Sequence, residues 1–265
     1  METYSDVLRY RELLGNLFRR DLQAKYRGSA LGVLWTIANP VMLMGVYLLV
    51  FGVVWKSPFA NGNHYALFLL TGLALWTFFA AAVQSSTRSM LDNANLIRKT
   101  RFPRQLVPLS VVFAHLVSFG AMLVLLLVVN FIALPRVRAT EWLAIPLCVL
   151  FVGVVCGVAL AVASLNVLFR DVEFIVAALL LPLFFVTPIL YPLTGSPLDQ
   201  HRVVVDAIHW LNPLSPAIEA VRAPLFEGTF PRWTDALYLV VACVLALGIG
   251  ALVFRSVDDQ IAIEV

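Results

Sequence analysis

The chain has 265 residues, 61% apolar and 13% charged, with a mean hydropathy of +0.88. Soluble domains carry roughly 45–50% apolar and 25% charged residues, so a water-solvated globule is excluded. The net charge is only +3, and GxxxxGK[ST], GxSxG, HExxH and CxxC motifs are all missing, which leaves the chain without a nucleotide loop, a hydrolase elbow or a zinc signature.

Residues 6–26 read as an amphipathic helix, with Val7, Tyr10, Leu14, Leu17 and Phe18 on one side and Arg9, Arg11, Glu12, Arg19 and Arg20 largely opposite. Such a helix lies in the headgroup region or packs on a partner. Its direct passage through Tyr26-Arg27-Gly28 into an apolar run favours the headgroup region. The mixed charge of this leading segment does not match a cleavable signal, so the N-terminus is expected to be mature.

Six stretches then lack Asp, Glu, Lys and Arg: 28–55, 57–87, 105–135, 142–169, 174–198 and 236–254. About 20 apolar residues at helical rise cross the roughly 30 Å of bilayer hydrocarbon, and long unbroken runs are helical rather than barrel-like. The expectation is an all-α membrane protein forming one transmembrane domain over 1–265. Its spans are predicted at 33–55, 66–87, 105–134, 142–168, 174–193 and 234–254. With the N-terminus in the cytoplasm, thirteen Lys/Arg fall inside and six outside (Lys56, Arg136, Arg138, Arg202, Arg222 and Arg232), so the positive-inside rule places both termini in the cytoplasm.

The cytoplasmic loop 88–104 interleaves basic residues with Leu91, Leu96 and Ile97, which could form one side of a brief helix ending before Pro103. Binding to anionic lipid explains its charges; docking on a protein explains both charges and apolar residues. Cys148, Cys156 and Cys243 lie inside spans as small hydrophobes. His115 is the one mid-span histidine, and its simplest role is a hydrogen bond between helices. Arg170-Asp171-Val172-Glu173 makes a charged turn between the fourth and fifth spans, either snorkelling punctuation or a partner contact. Pro182, Pro188 and Pro192 predict a kinked fifth helix. Beyond it, Ala207–Ile218 is apolar but too short to cross and is broken at Asn212-Pro213, which suggests a re-entrant helix pair within 198–231 on the outer face.

Taken in order, several segments resemble the ABC-2 type permease family, and within it the exporters of O-antigen, capsule, teichoic acid or related lipid-linked glycans. They are Tyr26-Arg27-Gly28-Ser29, Trp35 with Asn39-Pro40, Thr71-Gly72, Asn95-Leu96-Ile97, Phe102-Pro103, Phe169-Arg170-Asp171-Val172, Thr187-Pro188-Ile189 and Asn212-Pro213-Leu214. The resemblance implies a homodimeric permease in the bacterial inner membrane, joined to two copies of a separate ATPase. That subunit would hold ATP and Mg, leaving this chain without catalytic residues, metal or cofactor. Asn95, Lys99, Phe102, Arg170 and Asp171 would couple to the ATPase. Phe51, Trp76, Phe78, Phe79, Phe184, Phe185 and Tyr191 would line the channel, and Asn212, Pro213 and Arg222 would belong to an outer gate.

Tyr26 and Arg27 would stand where substrate is admitted, the arginine attracting a lipid pyrophosphate or serving as an ordinary positive-inside residue. Expected partners are therefore the ATPase, a second copy of the chain, lipid-linked polysaccharide and membrane lipid, with no nucleic acid. The rival readings are a drug or small-lipid exporter of the same family, and a membrane-embedded glycolipid transferase using Asp199, His201, Asp206, His209 or Glu219. The irregular spacing of those five argues against catalysis.

Overall fold

The computed structural model describes residues 10–26, 28, 32, 34–54, 65–99, 102–133, 140–193 and 202–264, and every regular element among them is a helix. In chain order these are α1 (Arg11–Tyr26), α2 (Leu34–Tyr47, continued by a wide π-turn Leu48–Val54), α3 (Tyr65–Asp92) and α4 (Ala94–Lys99). There follow α5 (Leu106–Ala133), α6 (Ala144–Leu168) and α7 (Val172–Val186). The chain closes with α8 (Arg202–Leu211), α9 (Leu214–Arg222, continued by a π-turn Ala223–Glu227) and α10 (Trp233–Glu264).

Among the described residues, four segments are long and apolar enough to cross a membrane: Tyr65–Asp92, Leu106–Ile132, Glu141–Leu168 and Trp233–Asp258. Two further apolar segments, Ile37–Phe51 and Val172–Val186, are shorter. The first of these widens into a π-turn after Tyr47. The second stops because Thr187 precedes a proline, whose ring disfavours helical geometry at the residue before it; Thr187 is extended, with ψ 137. Pro182 is carried inside α7, so Pro188 ends this helix where a kink was expected.

Helix α3 is central and mostly buried, with α5 and α6 packed along it and α10 along α6. Lipid tails are as apolar as leucine, so helices in a membrane adhere through close packing, which favours small residues at their crossings. The α6–α10 crossing follows this rule. A Cβ added at Gly157 would lie 2.2 Å from the carbonyl carbon of Ala246, and one at Gly250 would lie 2.3 Å from the Gly157 carbonyl oxygen.

Two helices outrun their sequence boundaries. α3 continues through Arg88 to Asp92, and α10 continues past residue 254 to Glu264. Between α3 and α4, Asn93 interrupts and restarts the helix. Its side-chain amide donates to the Ser89 carbonyl, while its own carbonyl accepts from the N–H groups of Leu96 and Ile97.

Candidate functional site

The functional candidates gather at two opposite ends of the bundle, since Phe68 and Arg88 on α3 stand roughly 30 Å apart at helical rise. At the end carrying α4, Asn95, Arg98 and Lys99 are exposed while Ile97 is buried and Phe102 packs half-buried against the core. The turn between α6 and α7 exposes Phe169 (63%), Arg170 and Asp171. Arg88 donates to Glu173 at 3.3 Å, and the Glu173 backbone N–H donates to Asn166 Oδ1 at 3.0 Å, so the α3–α4 corner and the α6–α7 turn are tied together. Arg104 reaches Asp258 on α10 at 3.0 Å. The sequence reading placed Arg88 and Arg104 at the ends of the docking loop and Glu173 in the charged turn but did not pair them, and it gave Asp258 no role; the partners are 85 and 154 positions apart, beyond any local pattern.

Exposed ion pairs of this kind contribute about 0–1 kcal/mol, enough to orient neighbouring segments but not to hold the fold. Glu173→Ala should therefore lower the thermal midpoint of the purified protein by an amount equivalent to no more than about 1 kcal/mol. A larger loss in a thermal-shift assay would mean that the pair is structural.

At the opposite end, Asn212-Pro213 separates α8 from α9. The Asn212 side chain accepts from the Leu214 N–H at 3.1 Å and donates to Thr187 Oγ1 at 2.8 Å, which fastens the break to the end of α7. Pro213 is exposed. Arg222 is fully buried, at 0% exposure. Its guanidinium donates to the carbonyl of Pro188 (3.0 Å), to Glu219 (3.0 Å) and to the carbonyl of Phe68 (3.4 Å), and its carbon lies 3.6 Å over the Phe68 ring. The planar fork of arginine is what allows one side chain to bridge α9, the segment just after α7, and α3. Tyr65 donates to the Leu190 carbonyl at 2.6 Å, and His209 meets Asp235 on α10 at 2.9 Å. The sequence reading placed Arg222 on the outer side, in a gate; the structure buries its side chain at the end that carries α8 and α9.

The aromatic candidates separate into two groups. Trp76 and Phe79, three residues apart on one face of α3, join Tyr47 and Phe51 of α2 and Phe184 and Phe185 of α7, with Trp76 and Phe184 centroids 5.4 Å apart. Within this group Phe185 is 55% exposed, while Trp76, Phe79 and Phe184 are buried. Phe78 points the other way and stacks on Phe119 of α5 at 4.7 Å, inside the core. Tyr191 is half-buried and donates to the carbonyls of Phe185 and Val186.

Ahead of α2, Tyr26 is the last residue of α1, and Arg27 lies outside the described residues. Helix α1 buries Leu17 and runs alongside α5. Ser110 donates to Asp21 at 2.7 Å, and Lys25 reaches Ser118 (2.7 Å) and His115 Nδ1 (3.1 Å). His115 Nε2 meets Ser85 of α3 at 3.1 Å, so this histidine does link helices.

A family model for ABC-2 type transporters matches residues 12–226. The chain belongs to this family. Among its relatives in the ABC-2 family is the O-antigen export system permease protein RfbA of Myxococcus xanthus, 33% identical over 97% of this chain and 96% of that protein. The O-antigen export system permease protein RfbA of Klebsiella pneumoniae is 29% identical over 95% and 94% of the two chains. The polysialic acid transport protein KpsM of Escherichia coli is 23% identical over 92% of each. The chain is thus an ABC-2 permease with apolar membrane-crossing helices.

Proposed function

We propose that this chain is the permease subunit of an ATP-driven exporter of lipid-linked polysaccharide, an O-antigen-like or other cell-envelope glycan, in the bacterial inner membrane. The carrying observation is near full-length similarity to O-antigen export permeases, the first at 33% identity over 97% of the chain. In this reading six helices span, α2 and α7 being the two short crossings, both termini lie in the cytoplasm, and two copies assemble with two ATPase subunits. α1 is the interface helix and α4 the coupling helix. The α8–α9 pair re-enters from outside as the gate.

The geometry supports this division. The exposed basic side of α4 and the turn at Arg170-Asp171 share one end, tied by Arg88 and Glu173, so a stroke delivered there reaches α3 and α7 together. α3 and the segment immediately following α7 hold Arg222, Asn212 and hence the α8–α9 pair at the far end. The exposed apolar faces of α2 and α7, including Met42, Val46, Leu179 and Phe185, are available to lipid or a second copy. A long hydroxylated polymer cannot cross bare hydrocarbon, because each unsatisfied polar group costs several kcal/mol; a passage flanked by flat aromatic rings and open to water avoids that.

Depletion of this protein should cause glycolipid to accumulate on the cytoplasmic side, identifiable by mass spectrometry of membrane extracts. Accumulation of a drug or a small lipid with normal surface glycan would overturn the proposal in favour of the other exporter class. Lys99→Glu reverses an exposed charge on α4, and Phe102→Ala removes the half-buried ring that props it against the core. Both should leave membrane insertion intact while reducing substrate-stimulated ATP hydrolysis and export severalfold. Wild-type co-purification with the ATPase and wild-type stimulation in both variants would remove α4 from the coupling role.

A further inference from the structure

A cleft of about 400 Å³ opens between the end of α1, the start of α2 and the faces of α3 and α5. Pockets for small ligands run from about 300 to 1,000 Å³, so this one suits a compact headgroup rather than a polymer. Its lining combines the polar Lys25, His115, Ser118 and Asn39 with Trp35 and the apolar Phe119 and Met122. Lys25 Nζ is aimed by its bonds to Ser118 and His115 Nδ1. An ammonium can only donate, so His115 accepts at Nδ1 and carries its proton at Nε2, where it donates to Ser85. The arrangement is built across three helices.

We propose that this cleft binds a phosphate group, with Lys25 as its cation, Ser118 and Asn39 as further donors, and Trp35 and the apolar lining receiving what the phosphate is attached to. An ionisable group inside a span is a functional-site candidate by default, and His115, besides linking helices, lies roughly 13 Å along α5 from Leu106 at helical rise. Partial burial lowers the Lys25 ammonium to about 8, which leaves it cationic near neutral pH, while its side chain stays open enough to solvent to meet an anion. Trp35 is 50% exposed and offers a flat face at the mouth. The identification of the natural ligand rests on the polysaccharide-export reading, where a lipid diphosphate is the carrier; an ordinary phospholipid headgroup presents the same chemistry.

The test uses the full chain purified into phosphatidylcholine nanodiscs and titrated with farnesyl diphosphate, binding being read by native mass spectrometry. Lys25→Gln should weaken binding more than tenfold, and Lys25→Arg should stay within about threefold of wild type, since arginine also suits phosphate. Inorganic pyrophosphate should compete, showing that phosphate rather than the tail is read. Displacement by phosphatidylglycerol at equal potency would keep the phosphate site but make a bilayer lipid its occupant. Wild-type affinity in Lys25→Gln, with an unchanged elution profile, overturns the site; so does wild-type protein that binds none of the three probes. Failure of the export reading shows up separately, as depleted cells that accumulate no glycolipid whatever Lys25→Gln does to binding.

Discussion

Arg222→Ala should destabilise the permease by on the order of 3–5 kcal/mol, the range for removing one member of a buried, hydrogen-bonded charge pair. The substitution removes the donor to the Pro188 carbonyl and a second donor to the Phe68 carbonyl, takes the guanidinium from Glu219, and empties the space over the Phe68 ring. The thermal midpoint on fluorescence-detected size exclusion should fall sharply, or folded protein should be lost. Arg222→Lys keeps the charge but lacks the fork that reaches three elements, so an intermediate loss of about 1–3 kcal/mol is expected. Gly72 is part of the same construction. A Cβ there would lie 2.7 Å from Arg222 Nη2 and 3.3 Å from the Ile189 Cα, so Gly72→Ala should also destabilise, by about 1–3 kcal/mol. Because the two residues share one space, the double variant should lose less than the two single losses added together. Arg222→Ala with a wild-type midpoint would show that the hairpin is held by something else.

Gly157→Val should be still less tolerated, because its Cβ would meet backbone rather than a side chain that can rotate away. The obstacle is the Ala246 carbonyl carbon at 2.2 Å, and relief requires α6 and α10 to separate along their whole contact. A loss above about 3 kcal/mol, or failure to accumulate, is the expected outcome. Gly248 on α10 supplies the control. A Cβ at that position meets nothing within 4 Å, so Gly248→Ala should be neutral or stabilise by up to about 1 kcal/mol through helix propensity. Equal thermal midpoints for Gly157→Val and Gly248→Ala would refute the close crossing.

Much of the architecture was legible in the chain itself. Runs without charge cannot be anything but apolar helices in a protein of this composition, and the Asn212-Pro213 break between α8 and α9 follows from proline's missing donor. The apolar side of the 88–104 segment showed in part: Leu91 and Ile97 turn toward the core, while Leu96, the third residue expected there, is half-buried outside it. Other features were not legible. Trp76, Phe78 and Phe79 look alike in sequence, yet a helix turns about 100° per residue, so Phe78 enters the core while its neighbours face α2 and α7. Residue type could not choose between those faces.

What the sequence determined by itself is the solvent, the helical class and the family, because composition, run length and ordered motifs are properties of the chain read locally. Only the tertiary structure decided that Arg222 is a buried bridge between three segments, that Lys25 meets His115, and that Arg88 joins the α3–α4 corner to the α6–α7 turn. Those facts depend on partners 34, 90 and 85 positions away. An ionisable side chain takes its role from the groups that surround it after folding, and no local pattern records them.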